Sequence, residues 1–330
     1  TATATQIPRP SCAVYPPELP PATWVVNTTN DNLITPITLR CALTYARAGD
    51  SITFDPAIFP PGGRAAITLT AALPAITQGN LTVDGSGAGV ILNGGNLAAN
   101  TSGLVLVSNE NTINGLRILN MTGNGIVVQG DGNNIGVVLN QRAKFAVSNV
   151  GGPPASPANV IGGNGGNGIS IRGNGNTIQG NYIGTKAAGL LADGNGGSGI
   201  YVSSGSRNDI GGNGAGQGNL ISGNSENGIA LLNLDEGRVE ENRIEGNFVG
   251  TDLTGRNRLP NQAHGVSISL SAERNYIGGD GASEGNLISG NDLSGIFLWR
   301  AISTTIQSNL IGTAINGADR LDNGQSGIIV

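Results

Sequence analysis

One short phrase recurs through most of the chain. Each copy begins with Gly, continues with Ile or Val, and alternates apolar residues after it. The copies start at Gly125, Gly168, Gly199, Gly228, Gly265, Gly295 and Gly327. The unit is about 30 residues long, since Gly168 and Gly199 are 31 positions apart. Repetition with this period predicts a solenoid whose units stack on one another.

Two further phrases, each opened by Asn, follow the Gly phrase in a fixed order. The first Asn series is Asn133, Asn176, Asn208, Asn242 and Asn275, with Thr304 in the sixth unit. The second series is Asn159, Asn181, Asn219, Asn247, Asn286 and Asn309. Three β-prone segments per unit, separated by Gly and Asn, predict three strands and three corners. We therefore expect an all-β parallel β-helix with a shared apolar interior and Asn ladders that hydrogen-bond between coils.

The coils alternate in where their loops are placed. Those that open at Gly168, Gly228 and Gly295 end in Gly-Thr and a longer loop. The others lengthen the connection between the second and third strands, and the Gly125 coil does so most, over residues 137–157. We expect loops to protrude from alternate corners.

The N-terminal part is organised differently. Residues 1–22 are rich in Pro and Thr and predict an extended arm. Residues 23–65 are expected to cap the solenoid, with a helix at 38–48, and residues 66–330 to form it. The helix would bury the apolar face of Leu39, Ala42, Leu43 and Ala46.

Composition excludes two classes of partner. The net charge is -5, and the only lysines are Lys144 and Lys186, so no basic stripe could neutralise nucleic-acid phosphates. No apolar stretch approaches the roughly 18 residues that cross a bilayer. Because Thr1 is not Met, we expect either a mature form, cut after a targeting segment, or an expression fragment.

Two cysteines, Cys12 and Cys41, lie in the N-terminal part. A disulfide between them is typical of an exported protein and would hold the arm. Two buried free thiols are the alternative that the sequence leaves open.

The segment Thr38-Leu-Arg-Cys-Ala-Leu, followed by residues 48–55, resembles the CSLREA-type N-terminal region of bacterial surface and secreted β-helix repeat proteins. The later Asn-x-Ile-Gly-Thr and Asn-x-Ile-Ser-Gly-Asn repeats resemble the same group. The resemblance implies a right-handed parallel β-helix outside the cell and no defined activity. Cys41 stands where the family has a capping glutamate, so a disulfide would replace that hydrogen bond.

The leading functional hypothesis is a non-enzymatic extracellular rod: a surface stalk, an adhesin-like module or a filament subunit. The chain ends within a strand at Gly327-Ile-Ile-Val330, so we expect either that the sequence is truncated there or that another chain covers the open strand edge. We expect head-to-tail self-association between this coil and the arm at 1–22. The acceptor sequons at Asn27, Asn80, Asn100 and Asn120 predict glycosylation if the host performs it.

The alternative hypothesis is a polysaccharide-active or glycan-binding β-helix. Its best local constellation is Asp252, Arg256, Arg258 and the only histidine, His264. A solvated loop with incidental charges is the competing interpretation. We interpret the acidic run at Glu236, Glu240, Glu241 and Glu245 as a solvated face. No motif predicts a cofactor or a metal ion.

Overall fold

The computed structural model describes residues 12, 20–33, 37–136, 152–153, 158–234, 237–281 and 283–330. Most of the predicted arm, most of the 137–157 insertion and Glu236 lie outside these residues.

Short strands and one helix make up the described chain. The first elements are β1 (Thr23–Val26), α1 (Leu39–Tyr45), β2 (Ser51–Phe54), β3 (Ala65–Thr68), β4 (Thr82–Asp84), β5 (Val90–Asn93), β6 (Leu104–Leu106), β7 (Thr112–Asn114), β8 (Leu116–Leu119) and β9 (Ile126–Val128). The middle elements are β10 (Asn134–Ile135), β11 (Val160–Gly162), β12 (Ile169–Ile171), β13 (Thr177–Ile178), β14 (Tyr182–Ile183), β15 (Ile200–Val202), β16 (Asp209–Gly211), β17 (Leu220–Ile221) and β18 (Ile229–Leu232). The last are β19 (Arg243–Glu245), β20 (Phe248–Val249), β21 (Val266–Ser269), β22 (Tyr276–Ile277), β23 (Leu287–Ile288), β24 (Ile296–Trp299), β25 (Thr305–Ile306), β26 (Leu310–Ile311) and β27 (Ile328–Ile329).

The strands form three parallel sheets, one for each side of a coil. Sheet A has ten strands in the order β1-β2-β4-β7-β10-β13-β16-β19-β22-β25. Sheet B has nine, β3-β5-β8-β11-β14-β17-β20-β23-β26, and sheet C has eight, β6-β9-β12-β15-β18-β21-β24-β27. A regular coil passes through sheets C, A and B in turn. The predicted all-β parallel β-helix with three strands per coil is confirmed.

Equivalent residues of successive coils lie directly above one another. In sheet C, Ile169 pairs in register with Ile200, and Ile200 with Ile229. All three are fully buried in one continuous core. Each such side chain removed from water contributes about 1.5–3 kcal/mol, which a single coil could not gain alone.

Segment 23–65, predicted as the N-terminal cap, supplies the first two strands of sheet A, because β1 pairs with β2 and β2 with β4. Helix α1 begins as expected, with the Thr38 hydroxyl accepting the Cys41 N–H at 3.0 Å. It ends at Tyr45 rather than Ala48, because Ala46 has extended backbone angles.

A disulfide joins Cys12 to Cys41, with 5.5 Å between their Cα atoms. The predicted bond is confirmed, and the free-thiol alternative is wrong. Because Cys41 is buried in α1, the bond fixes residue 12 of the predicted arm to the helix.

Buried asparagines at the corners connect each coil to the next. In every ladder the Asn side-chain Nδ2 donates to Oδ1 of its counterpart in the next coil, over 2.8 to 3.1 Å. The corner before sheet A holds Asn111, Asn133, Asn176, Asn208, Asn242 and Asn275. The corner before sheet B holds Asn159, Asn181, Asn219, Asn247, Asn286 and Asn309.

A third ladder, absent from the sequence prediction, occupies the corner before sheet C. It comprises Asn164, Asn195, Asn224, Asn261, Asn291 and Asn323. Each of these residues lies four positions before a phrase-opening Gly, and this spacing could have revealed the ladder. In the preceding coil Met121 takes this place, and its backbone N–H donates to Asn164 Oδ1.

The phrase-opening glycines from Gly125 to Gly295 lie where neighbouring coils approach closely. A Cβ atom on Gly199 would come within 2.5 Å of the Ile221 side chain and 2.7 Å of the Gly228 carbonyl oxygen. Only a residue without a side chain fits such a corner.

Replacing a ladder asparagine should destabilise the fold more than replacing an exposed one. Asn219 is fully buried and makes four hydrogen bonds to neighbouring coils, so Asn219→Ala leaves buried groups unpaired. We expect it to lower the free energy of unfolding by about 2–3 kcal/mol in denaturant titrations. Asn174→Ala, which removes an exposed side chain that also bonds between coils, should cost less than about 1 kcal/mol. Equal losses would contradict this account.

Candidate functional site

The outer face of sheet B is covered by the chain's own loops. Tyr182, Leu220, Phe248 and Leu287 point outward in one register column and form a second buried cluster. The loops that follow the Gly-Thr phrases fold back over this column, and Leu253 and Ile315 pack against it. The alternation of loops in the sequence thus has a physical reason, and sheet B offers no open surface there.

Successive covering loops also bond to each other. The Leu253 N–H donates to the Gly189 carbonyl oxygen at 2.8 Å, and the Ile315 N–H to the Gly255 carbonyl oxygen at 2.9 Å. Gly189 and Gly255 both have positive φ, and a side chain on either would collide with the outward column. This layer is therefore a second, smaller stack outside the main core.

One outward column of sheet A is polar along the whole length of the sheet. Because inward residues such as Ile178, Ile210 and Ile244 are buried, their neighbours in each strand point outward. The outward column is Thr23, Ser51, Thr82, Thr112, Asn134, Thr177, Asp209, Arg243, Tyr276 and Thr305. Ten strands spaced by about 4.8 Å give this column a length of about 43 Å.

Two similar loops rise beside this face at the corner between sheets A and B. Residues 212–218 follow β16, and residues 279–281 and 283–285 follow β22 two coils later; both segments are rich in Gly. In the first, Gln217 Oε1 accepts the Gly214 N–H at 2.7 Å; in the second, Glu284 Oε2 accepts the Gly281 N–H at 2.8 Å. Asn213 Nδ2 donates to Glu284 Oε1 at 3.2 Å, so the loops join into one wall.

Between this wall and the strands lies a cavity of about 320 Å³, here called the sheet A groove. Its lining is Gln179, Asp209, Gly211, Gly212, Asn213, Gln217, Arg243, Glu245 and Glu284. Asp209 and Arg243 are register partners on adjacent strands, and Glu245 lies two residues beyond Arg243. The Asp209 and Glu245 backbones are therefore diagonal neighbours, about 8 Å apart.

The groove holds its charged side chains in different states. Arg243 Nη1 donates to Glu245 Oε1 at 3.3 Å, and its guanidinium lies 4.9 Å from the centre of the Tyr276 ring. Desolvation raises the pKa of Asp209 and of Glu245 against the opposing effect of Arg243. The pKa of Glu284 is lowered by the Gly281 N–H and the Asn213 amide. Desolvation thus disfavours the charge on two of the carboxyl groups, whereas hydrogen bonds stabilise the charge on the third.

In the constellation predicted from the sequence, the Asp252 carboxylate hydrogen-bonds within its own loop. Its carboxylate accepts the Thr254 hydroxyl at 2.7 Å and the Asn257 Nδ2 at 2.8 Å, and these bonds hold its pKa low despite desolvation. Arg258 pairs instead with Asp292, at 3.2 Å. Within the described chain, no hydrogen bond or ion pair joins Asp252 to His264 or to either arginine side chain.

His264 occupies a structural position at the corner before sheet C. Its Nδ1 accepts the Ser294 N–H at 3.2 Å, and its ring stacks on Phe297 with 4.5 Å between centroids. Between two other coils an Asn side chain makes the equivalent hydrogen bond: Asn124 Oδ1 accepts the N–H of Asn167. Burial lowers the pKa of His264, which favours the neutral ring that can accept this bond.

The pH dependence of stability should report this role. An unfolded imidazole has a pKa near 6.5. Because the folded pKa is lower, its contribution is complete above about pH 6.5 and falls as the pH drops toward the folded pKa. His264→Asn keeps an acceptor that does not titrate, so its free energy of unfolding should fall less between about pH 7 and 5. Parallel profiles for wild type and variant would contradict the assignment.

Glu240 and Glu241 of the acidic run belong to an ion-pair network beside β19. Arg274 contacts Glu240, Glu241 and Glu273, while Arg207 contacts Glu241 and Arg238 contacts Glu240. Because these charges neutralise each other, we assign the network a structural role. Among the described members of the run, Glu245 alone lines the groove.

The remaining sequence-predicted features lie away from the groove. The sequon residues Asn27, Asn80, Asn100 and Asn120 are all exposed. The described ranges contain no group of three or more His, Cys, Asp or Glu side chains that could hold a metal ion. They also contain no helix long and apolar enough to cross a bilayer.

Sequence reasoning missed Asp209, Arg243 and Glu284 as members of one site. They lie in three coils and up to 75 positions apart. The signal that could have found Asp209 and Arg243 is their shared offset, each being the residue directly after a ladder Asn. Glu284 would have required alignment of the two Gly-rich loops.

Comparison with known proteins places the fold in a family. The model described as "Right handed beta helix region" matches residues 102–311. The chain belongs to this right-handed β-helix family. The match supports the predicted repeat group, but not its CSLREA-type N-terminal region. No curated protein sequence matches the chain.

Two solved structures are similar to this right-handed β-helix. The A-module of the mannuronan C-5 epimerase AlgE4 from Azotobacter vinelandii is 14% identical in sequence, with a TM-score of 0.50. The match covers 86% of this chain and 82% of the A-module chain. Pectate lyase Pel9A is 14% identical in sequence, with a TM-score of 0.36, and the match covers 86% of this chain and 76% of the lyase chain. At such identity the first likeness shows the fold alone, and the second carries no argument.

Proposed function

We propose that this β-helix binds a carbohydrate chain along the outer face of sheet A, centred on the sheet A groove. The observation that carries the proposal is the contrast between faces. The outer face of sheet B from Tyr182 to Leu287 is covered by its own loops, whereas sheet A has a continuous polar column about 43 Å long. A column of hydroxyl, amide and charged groups with a constant spacing suits a polymer of repeating polar units.

The groove has the composition that carbohydrate hydroxyls require. Gln179, Gln217 and Asn213 supply amide groups, and Asp209 and Glu245 supply carboxyl oxygens. The loop wall is held by its own hydrogen bonds, so little ordering is needed on binding. Asp209 and Glu245 also place two carboxyl groups in one groove, and desolvation raises the pKa of both, which extends the proposal to polysaccharide-active chemistry.

An extracellular setting is part of the proposal. The Cys12–Cys41 disulfide supports it, because such bonds persist in oxidising compartments. Polysaccharides of cell walls, capsules and matrices are found in the same place as exported proteins.

The binding face can be located by matched substitutions. Asp209→Ala and Gln179→Ala each remove a polar group from the groove, while Asp292→Ala and Gln129→Ala remove the same groups from other faces. On a panel of basic, neutral and acidic oligosaccharides, we expect the first pair to lower affinity by at least about fivefold each. The second pair should stay within about twofold of wild type.

The measurement is isothermal titration calorimetry after an array screen. If binding is retained in Asp209→Ala and Gln179→Ala but lost in Asp292→Ala or Gln129→Ala, the glycan binds outside the groove. Failure of every oligosaccharide to bind would overturn the proposed function.

The structural-rod hypothesis remains a second candidate. What favours it is the continuity of the core and of the three Asn ladders, which make a stiff body suited to a stalk or to head-to-tail assembly through the arm at 1–22. Electron microscopy of the intact protein tests it. Regular fibres that disappear on deletion of the arm would support it, and dispersed particles would remove the filament version.

A further inference from the structure

The charges of the sheet A groove are unequal. Asp209, Glu245 and Glu284 each carry a carboxyl group, and Arg243 is the one cationic side chain among the described residues that line it. We propose that the groove takes a glycan that carries positive charge, a polymer of amino sugars with free amino groups, and rejects polymers of uronic acids. The proposal rests on the proposed function and names its substrate class.

Arg243 is already shared between two groups of the groove. Its guanidinium donates to Glu245 at 3.3 Å and lies over the Tyr276 ring, 4.9 Å from its centre. A uronic acid carboxylate that bound the remaining guanidinium N–H groups would lie beside Glu245 and near two further carboxyl groups. The electrostatic repulsion among these closely spaced carboxylates would therefore exceed the attraction that one shared guanidinium provides.

Asp209 is the group most open to a cationic ligand. It is exposed at the groove, and within the described chain no side chain or backbone N–H donates to its carboxylate. The other two carboxyl groups already accept hydrogen bonds from the protein. An ammonium group would give Asp209 a charge-assisted partner and would offset the cost of desolvating it.

Glu284 keeps a negative charge fixed at the far side of the groove. Its two oxygens accept from the Gly281 N–H and the Asn213 amide, so its carboxylate is both ionised and held in place. The sister loop has Gln217 at the equivalent position, which also folds back onto its own backbone. The two loops therefore share one conformation but differ in charge, and only the second adds an anion to the wall.

Matched oligosaccharides separate charge from shape. Hexamers of glucosamine and of N-acetylglucosamine share one sugar skeleton, but only the first has free amines, and a hexamer of galacturonic acid supplies the opposite charge. At about pH 6 and low salt, we expect the glucosamine hexamer to bind at least about tenfold more tightly than its acetylated counterpart. The galacturonic acid hexamer should bind most weakly. The preference should shrink as salt is added, because exposed charges are screened.

Substitutions then assign the preference to the groove. Asp209→Asn and Glu284→Gln should each reduce the ratio of glucosamine to N-acetylglucosamine affinity by at least about threefold, and Asp209→Glu should retain it. Asp209→Lys should reverse the preference toward galacturonic acid. Asp292→Asn, which removes an exposed carboxylate from another corner, should leave the ratio unchanged. Thermal melts of all variants identify any change that comes from unfolding.

The outcomes distinguish this inference from the function on which it rests. Equal or tighter binding of the acetylated or acidic hexamer, lost on substitution in the groove, would overturn the charge preference and leave the glycan groove in place. Binding of none of the three, or binding indifferent to every groove substitution, would overturn both.

Discussion

The fold depends on satisfying the polar backbone at its corners. Each coil turns three times, and at each turn buried N–H and C=O groups leave the sheets without a strand partner. A buried Asn supplies both a donor and an acceptor there, and it repeats that geometry in the next coil, as Asn181, Asn219 and Asn247 do. Burying such amides without partners would cost more than the adjacent aliphatic side chain gains. The ladders and the aliphatic stack therefore stabilise the fold only together.

Fixed corners let the loops vary without disturbing the core. Loops after the Gly-Thr phrases use their freedom to cover sheet B, where Leu220, Phe248 and Leu287 need shielding from water. Loops between sheets A and B instead rise beside sheet A, whose outward residues are polar and need no cover. The solenoid therefore has one face that its loops cover and one polar face that stays open.

The sequence predicted the periodic part of the structure because periodicity is a local signal. Gly-Ile-x-Val and Asn-x-Ile phrases identify strand, corner and coil without knowledge of their neighbours. The third ladder was missed because four residues separate Asn195 and Asn224 from the strands that follow them, whereas the Asn residues of the other two series directly precede theirs. Helix α1 was predicted too long for a related reason, since Ala46 continues the apolar pattern while its backbone has already left the helix.

The candidate site could not be read from local sequence, because register brings its members together. Asp209 and Arg243 are 34 positions apart in the chain and adjacent in sheet A. The constellation that is close in sequence is divided in space: Asp252 serves its own turn and His264 supports a corner. In a solenoid, chemical neighbours share an offset within the repeat rather than a stretch of chain.

Hydrogen–deuterium exchange with and without the tightest-binding oligosaccharide tests whether sheet A binds carbohydrate, because it maps contact along the whole solenoid. We expect slowed exchange in the backbone of residues 209–218, 243–246 and 278–285, with sheet B unchanged. Slowed exchange confined to the loops over sheet B, or to sheet C, would contradict a carbohydrate site on sheet A.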